Sequence, residues 1–131
     1  MRGKGYQLRT QGIIFGIVGL SGTVLNTGLV YVLCGHLRWP LPLAVALASE
    51  LAILNSYLWN DRWTFGRRDP SLRRFARFNL SSLGGLALTT GVTSALTTSG
   101  VPYLLALLVA VAAAALSNFA ASALWVWRVA P

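Results

Sequence analysis

Apolar positions fill long stretches of this chain, and charges interrupt them at only a few places. Residues 10–37 hold no Asp, Glu, Lys or Arg, residues 39–60 hold one, Glu50, and residues 78–127 hold none. A hydrocarbon core of about 30 Å takes roughly 20 helical residues at about 1.5 Å each. The first two runs therefore predict one span each, and the third is long enough for two. Ser99-Gly100-Val101-Pro102 supplies the turn inside the third run, and Arg38-Trp39-Pro40 separates the first two. Gly and Pro both punctuate helices. The pattern predicts four transmembrane helices, near 12–36, 41–60, 77–98 and 102–127. The N-terminal run is too long for the apolar region of a secretory signal, so it is read as a retained span.

The two halves of the chain resemble each other. Trp39-Pro40-Leu41 aligns with Val101-Pro102-Tyr103 at an offset of 62, where Ser56-Tyr57 meets Asn118-Phe119 and Trp63-Thr64-Phe65 meets Trp125-Val126-Trp127. Helix 1 aligns with helix 3 at an offset of 63, pairing Phe15 with Phe78, Gly22 with Gly85 and Gly28 with Gly91. Each repeat is then a two-helix hairpin, about 12–65 and about 77–128, joined by a loop at about 61–76. Two spans per repeat give both halves the same orientation. Small or polar residues recur every four positions at Ala44, Ala48, Ala52, Ser56 and Asn60, and again at Ala106, Ala110, Ala114, Asn118 and Ser122. A third stripe is Ser81, Gly85, Thr89, Thr93 and Thr97. Such stripes let helices approach closely in lipid, either within one chain or between chains.

Composition removes several classes. Hydrophobic residues make up 55% of the chain and charged residues 11%, with a mean hydropathy of +0.61. Soluble domains carry about 25% charged residues, so the composition argues against a soluble globular domain and excludes a disordered chain. One cysteine, Cys34, allows no internal disulfide. One histidine, His36, and three acids leave no ligand set for a metal. A nucleophile elbow, a glycine-rich phosphate loop, paired catalytic carboxylates and zinc spacing are all missing. The expectation is a protein that is not an enzyme and needs no cofactor.

The net charge of +8 reads as membrane topology, with no nucleic acid partner. Arg2, Lys4 and Arg9 precede helix 1. Arg62, Arg67, Arg68, Arg73, Arg74 and Arg77 lie between helices 2 and 3, and Arg128 follows helix 4. Only Arg38 falls on the other side. By the excess of Lys and Arg, both termini and the central loop face the cytoplasm. The same arginines have the chemistry to bind anionic lipid head groups or phosphate.

A few polar side chains need an explanation inside the spans. Glu50 sits near the bilayer midplane, where a charged group costs roughly 2.5–3.5 kcal/mol on insertion scales. It is either a buried neutral residue bonding a neighbouring helix or part of a substrate or proton site. Helical spacing puts it on one face with Leu43, Ala46, Tyr57 and Asp61. Asn26 lies at comparable depth and can converge with Glu50 on one cavity. Asn55 and Asn118 also fall within spans, where an amide often bonds an adjacent helix. Asn60-Asp61-Arg62 precedes Trp63 at the cytoplasmic end and can form a head-group site. Trp63, Phe65, Trp125 and Trp127 sit at the depth of an aromatic belt.

These landmarks resemble the GtrA-like family of small four-helix membrane proteins. The most specific stretch is Glu50-Leu51-Ala52-Ile53-Leu54-Asn55-Ser56-Tyr57-Leu58-Trp59-Asn60-Asp61-Arg62-Trp63-Thr64-Phe65. It is similar to the family's acidic, small-residue helix ending in an Asn, a basic residue and Trp-Thr-Phe. Phe15-Gly16-Ile17-Val18-Gly19-Leu20 with Asn26 looks like the first helix, and Arg74-Phe75-Ala76-Arg77-Phe78 like the start of the third. Asn118-Phe119 followed by Leu124-Trp125-Val126-Trp127 looks like the C-terminal repeat. Two positions depart from the pattern: Ser122-Ala123-Leu124 replaces the fourth-helix Asn-Arg pair, and Thr89 replaces the third-helix Asn.

The resemblance implies one GtrA-like transmembrane domain over 1–131, in the plasma (inner) membrane. It implies a role in cell-surface polysaccharide synthesis, cell-wall glycosylation or O-antigen modification. The expected activity is that of a flippase moving a polyprenyl-phosphate-linked monosaccharide, such as an undecaprenyl-phosphate-hexose. The residues expected to bind it are Asn26, Glu50, Asn55, Tyr57, Asn60, Asp61, Arg62, Trp63 and Asn118. Expected partners are that lipid, membrane lipids, a glycosyltransferase and further copies of the chain. The alternative is a non-transporting membrane adaptor that recruits a polyprenyl-dependent glycosyltransferase through the basic loop. A third class, a small proton-coupled cation exporter, fits the length but carries its Glu in the first helix.

Overall fold

The computed structural model describes residues 4–128, which form helices and connecting turns with no strand among them. Arg2, counted above on the basic side, lies outside the described residues. The long helices are α1 (Lys4–Val30), α2 (Leu41–Trp59), α3 (Leu72–Thr98) and α4 (Tyr103–Ala121). Three of the four continue without a break into a wider π-helical turn: α1 into Tyr31–His36, α2 into Asn60–Thr64 and α4 into Ser122–Val126. The chain divides after Pro70 into two compact units. The first is the α1–α2 hairpin and the second the α3–α4 hairpin.

Among the described residues, three helices are long and apolar enough to cross a membrane: Gln7–His36, Leu41–Thr64 and Tyr103–Val126. At 24 residues, the second and third would each reach about 36 Å. Helix α3 is long enough, at 27 residues, but is not one of the three. Hydroxyls dilute its apolar content: Ser81, Ser82, Thr89, Thr90, Thr93, Ser94, Thr97 and Thr98 all lie on it. Most of these bond back to a carbonyl one turn earlier, as Thr89 Oγ1 does to Gly85 O at 2.9 Å and Thr98 Oγ1 to Ser94 O at 2.7 Å.

Two helix starts differ from the expectation, for one reason. Charges mark where a membrane span ends, but arginine and lysine are good helix formers and do not end a helix. Helix α1 therefore begins at Lys4 and α3 at Leu72. Ser71 sets the second start, its Oγ accepting from Arg74 N at 3.3 Å. The basic loop is short in consequence, and Arg73, Arg74 and Arg77 ride on α3. Pro40 and Pro102 head α2 and α4 with ψ of 136° and 140°. A proline there loses no helical hydrogen bond.

Each hairpin closes on a stripe of small residues. In the first, Ala44, Ala48 and Ala52 of α2 are buried, and Gly22 of α1 faces the same helix. A Cβ on Gly22 would lie 2.5 Å from Ser56 Oγ and 3.5 Å from Ala52 O, so a larger residue here displaces the Ser56 hydroxyl or parts the helices. In the second, Ala106, Ala110 and Ala114 of α4 are buried. A Cβ on Gly85 would lie 3.9 Å from Ala114 Cβ, an ordinary contact. Each pair also shares a polar contact. Ser49 Oγ donates to Asn26 Oδ1 at 3.5 Å, a long bond, and Ser81 Oγ donates to Asn118 Oδ1 at 2.5 Å.

Landmarks recur along the chain at an offset of 62. Helices α2 and α4 have 19 residues each, and the π turns that follow them have five each. The left-handed residues match as well: Arg38 (φ 55°) with Gly100 (φ 96°), and Gly66 (φ 64°) with Arg128 (φ 43°). In both halves the first carbonyl of the π turn accepts from an amide five residues on, Asn60 O from Phe65 N and Ser122 O from Trp127 N, each at 2.9 Å.

Candidate functional site

The wide turn Asn60–Thr64 prolongs α2 and carries four polar residues in five, Asn60, Asp61, Arg62 and Thr64. Asn60, Asp61 and Thr64 are buried there, and Tyr57 is buried one turn earlier. Thr64 Oγ1 donates to Asn60 Oδ1 at 2.7 Å, satisfying the amide oxygen without water. Arg67 N donates to Asp61 O at 2.7 Å and folds the following loop back onto the turn. Tyr57, Asn60 and Asp61 therefore form a packed polar plug at the helix end, shielded from solvent.

The accessible chemistry lies beside this plug. Asn55, Leu58, Trp59, Arg62, Arg68 and Pro70 line an open cavity of about 380 Å³. Helical spacing explains the grouping, because Asn55, Trp59 and Arg62 are four and seven residues apart and share one face. Trp59 Nε1 donates to Asn55 Oδ1 at 3.0 Å, which fixes the indole plane. Trp63 packs against Trp59 with ring centroids 4.3 Å apart, tilted by 43°. Both indoles and Arg62 are exposed. The cavity thus offers two guanidinium forks, an aromatic wall and an amide. Forks of this kind match phosphate oxygens. The volume falls within the range of ordinary ligand sites, about 300–1,000 Å³. It has room for a phosphate and a sugar ring but none for a long hydrocarbon tail.

The remaining candidates are elsewhere. Glu50 is exposed, and so are Leu43 and Ala46, whereas Tyr57 and Asp61 are buried. The stripe expected on periodicity therefore does not share one environment. The physical reason is the angle of hairpin closure: α1 packs on Ala48 and Ala52, and Glu50 points about 160° away from them at 100° per residue. Asn26 is half-buried and meets Ser49, the neighbour of Glu50 in sequence. Asn118 belongs to the second hairpin, where it accepts from Ser81.

Sequence does not single out Leu58, Trp59 and Pro70 as binding residues, and it marks Arg68 only as one of the basic-loop arginines, although all four line the cavity. The i, i+4 relation of Asn55 and Trp59 was available as a signal; the return of Arg68 and Pro70 depends on how the loop folds. The second hairpin has no equivalent cavity chemistry, since Ser117, Ala120, Ala121 and Leu124 stand 62 residues beyond Asn55, Leu58, Trp59 and Arg62. Its wide turn also lacks the buried pair. Ser122 and Val126 replace Asn60 and Thr64, and Ser122 Oγ is buried with no hydrogen-bond partner.

Comparison with known proteins fits this architecture. The chain is 39% identical over 99 residues to a dolichol-phosphate mannosyltransferase of Pyrococcus furiosus. The match covers 74% of this chain and 28% of that protein, so the chain spans about a quarter of its relative. The family model for the GtrA/DPMS transmembrane domain matches residues 14–127, which takes in both hairpins, the wide turns and the cavity. The chain belongs to the GtrA/DPMS transmembrane-domain family.

Proposed function

We propose that this protein moves a polyprenyl-phosphate-linked monosaccharide across the plasma membrane without making or breaking a bond. The observation that carries the reading is the cavity at the end of α2. Arg62 and Arg68 supply positive charge for a phosphate, Trp59 an apolar wall for a sugar ring, and Asn55 an amide for its hydroxyls. The cavity opens beside a helix apolar enough to span lipid. A lipid-linked sugar divides in the same way, with a tail that stays in hydrocarbon and a compact anionic head. In this reading the protein is one domain of two duplicated hairpins, α3 is a fourth span, and both termini face the cytoplasm. The cavity then captures the head group at the cytoplasmic surface. Glu50 and Asn26, nearer the midplane, would offer hydrogen bonds to sugar hydroxyls during transit, with Asn118 as the amide of the second hairpin. Tyr57, Asn60 and Asp61 hold the turn that carries Arg62 and Trp63.

The test is flipping of a polyprenyl-phosphate hexose in liposomes by purified wild type, by Arg62→Gln/Arg68→Gln and by Glu50→Gln. Flipping by wild type that is lost in the double arginine variant, with helicity intact, supports the reading. Absence of flipping by folded wild type across several sugar lipids refutes it. The adaptor reading also has an observation in its favour, because the matched stretch occurs within a longer chain named as a mannosyltransferase. It predicts no flipping, and capture of a polyprenyl-phosphate glycosyltransferase that fails when the loop arginines are reversed in charge.

A further inference from the structure

The three acidic residues of the chain, Glu50, Asp61 and Asp69, all precede the second hairpin. No carboxylate side chain follows Asp69 in the sequence, yet Arg73, Arg74, Arg77 and Arg128 do. The fold gathers three of these four. Arg77 Nη1 donates to Trp125 O at 3.2 Å, and the guanidinium lies 5.4 Å from the centre of the Trp125 ring. Beside it, Phe78 and Trp127 meet edge to face at 5.5 Å. These two contacts fasten the end of the α4 turn to the first turns of α3. Arg73 precedes Arg77 by one helical turn and shares its face, while Arg128 follows Trp127 directly. Both lie close enough to repel Arg77.

We propose that Arg73, Arg77 and Arg128 form a seat for the phosphate of an anionic glycerophospholipid at the membrane surface, with Trp125 as its aromatic wall. The depth is right, because Arg128 stands two residues beyond Val126, where the apolar span of α4 ends. Indole rings favour that layer, and Trp125 is exposed. Arg77 is preorganised: its contact with Trp125 O uses one of five N–H donors and orients the fork. Arg128 is held at φ 43°, where the corresponding residue of the first hairpin is Gly66. Keeping a side chain in that left-handed conformation costs free energy, and an arginine there contributes the third charge. Three cations without a carboxylate in their own hairpin repel one another until an anion joins them. A zwitterionic head group brings its own ammonium into that field, so a net negative head group is favoured. This seat is separate from the Arg62–Arg68 cavity and holds a stationary lipid, whether or not the protein flips sugars.

The test is native mass spectrometry of the full-length protein in micelles, titrated with phosphatidylglycerol or phosphatidylcholine. The variant Arg73→Gln/Arg128→Gln leaves the Arg77–Trp125 contact in place, and Arg62→Gln/Arg68→Gln removes the same charge from the other hairpin. Wild type is expected to bind one phosphatidylglycerol about 30-fold more tightly than Arg73→Gln/Arg128→Gln, at about fivefold per lost arginine. Arg62→Gln/Arg68→Gln should keep that lipid, and phosphatidylcholine should not discriminate among the three. Equal retention by wild type and Arg73→Gln/Arg128→Gln overturns the proposal. Equal losses in both double variants also overturn it, because net charge alone would then account for binding. Displacement of the lipid by millimolar glycerol phosphate would assign the seat to free phosphate and overturn the lipid assignment. If Arg73→Gln/Arg128→Gln fails to fold, Arg73→Lys/Arg128→Lys substitutes for it, with weaker binding expected because the planar forks are lost.

Discussion

Gly22 is where the closure of the first hairpin can be measured. A methyl group at this position would lie 2.5 Å from Ser56 Oγ, about 1 Å inside a comfortable contact. Either the Ser56 hydroxyl leaves its rotamer or α1 and α2 move apart, loosening the Ala44, Ala48 and Ala52 contacts. Overpacking of this kind costs about 1–3 kcal/mol, so Gly22→Ala should destabilise the protein by that amount. Removing the Ser56 hydroxyl removes the clash, since the next atoms are Ala52 O at 3.5 Å and Ser56 Cβ at 3.9 Å. Gly22→Ala should therefore cost almost nothing in a Ser56→Ala background, a coupling of about 1–3 kcal/mol in the cycle. Gly28→Ala is the control, because a Cβ there meets nothing within 4 Å. The assay is reversible unfolding from mild detergent into dodecyl sulfate, followed by tryptophan fluorescence. In that reference state the separated helices stay helical, so intrinsic propensity differences largely cancel. Equal stability of Gly22→Ala and Gly28→Ala in both backgrounds would refute the close approach.

The same titration tests the two wide turns. Thr64→Val leaves Asn60 Oδ1 buried without its donor and should cost about 1–3 kcal/mol, whereas Ser122→Ala removes a hydroxyl that already lacks a partner and should be neutral or stabilising. Arg38→Gly relieves a left-handed arginine and should stabilise by about 1 kcal/mol, while Gly66→Ala should destabilise by a similar amount. Trp59→Phe keeps a ring in the cavity but loses the Nε1–H bond to Asn55. Head-group affinity, read by equilibrium binding of a short-chain prenyl-phosphate hexose, should fall about fivefold at about 1 kcal/mol.

Much of the helical framework was legible from the sequence because burial in lipid and burial in protein impose the same constraint. Both demand apolar side chains in runs long enough to satisfy the backbone internally. Charge-free runs and Gly or Pro turns were therefore enough to locate four helices. They did not locate the starts of α1 and α3, since a charged residue leaves the membrane without leaving the helix. The hydroxyl-rich α3 shows a second limit. Its freedom from charge reads as a span, yet its hydropathy sets it apart from the three strongly apolar helices.

Sequence by itself determined composition class, the positions of the small-residue stripes, the repeat of landmarks at an offset of 62 and the separation of the acids from the second hairpin. These are local or compositional properties, and no packing partner has to be known to read them. Tertiary structure alone decided which stripe meets which. The alanines of α2 and α4 close within each hairpin, through Gly22 and Gly85, because that approach lets α1 and α2, or α3 and α4, bury their own small faces. That choice turned Glu50 outward and left Asn26 against Ser49. It also decided that Tyr57, Asn60 and Asp61 are packed while Asn55, Trp59, Arg62 and Arg68 line a cavity. Helical periodicity says which residues share a face; only the position of the neighbouring helix and the returning loop says whether that face is filled or open.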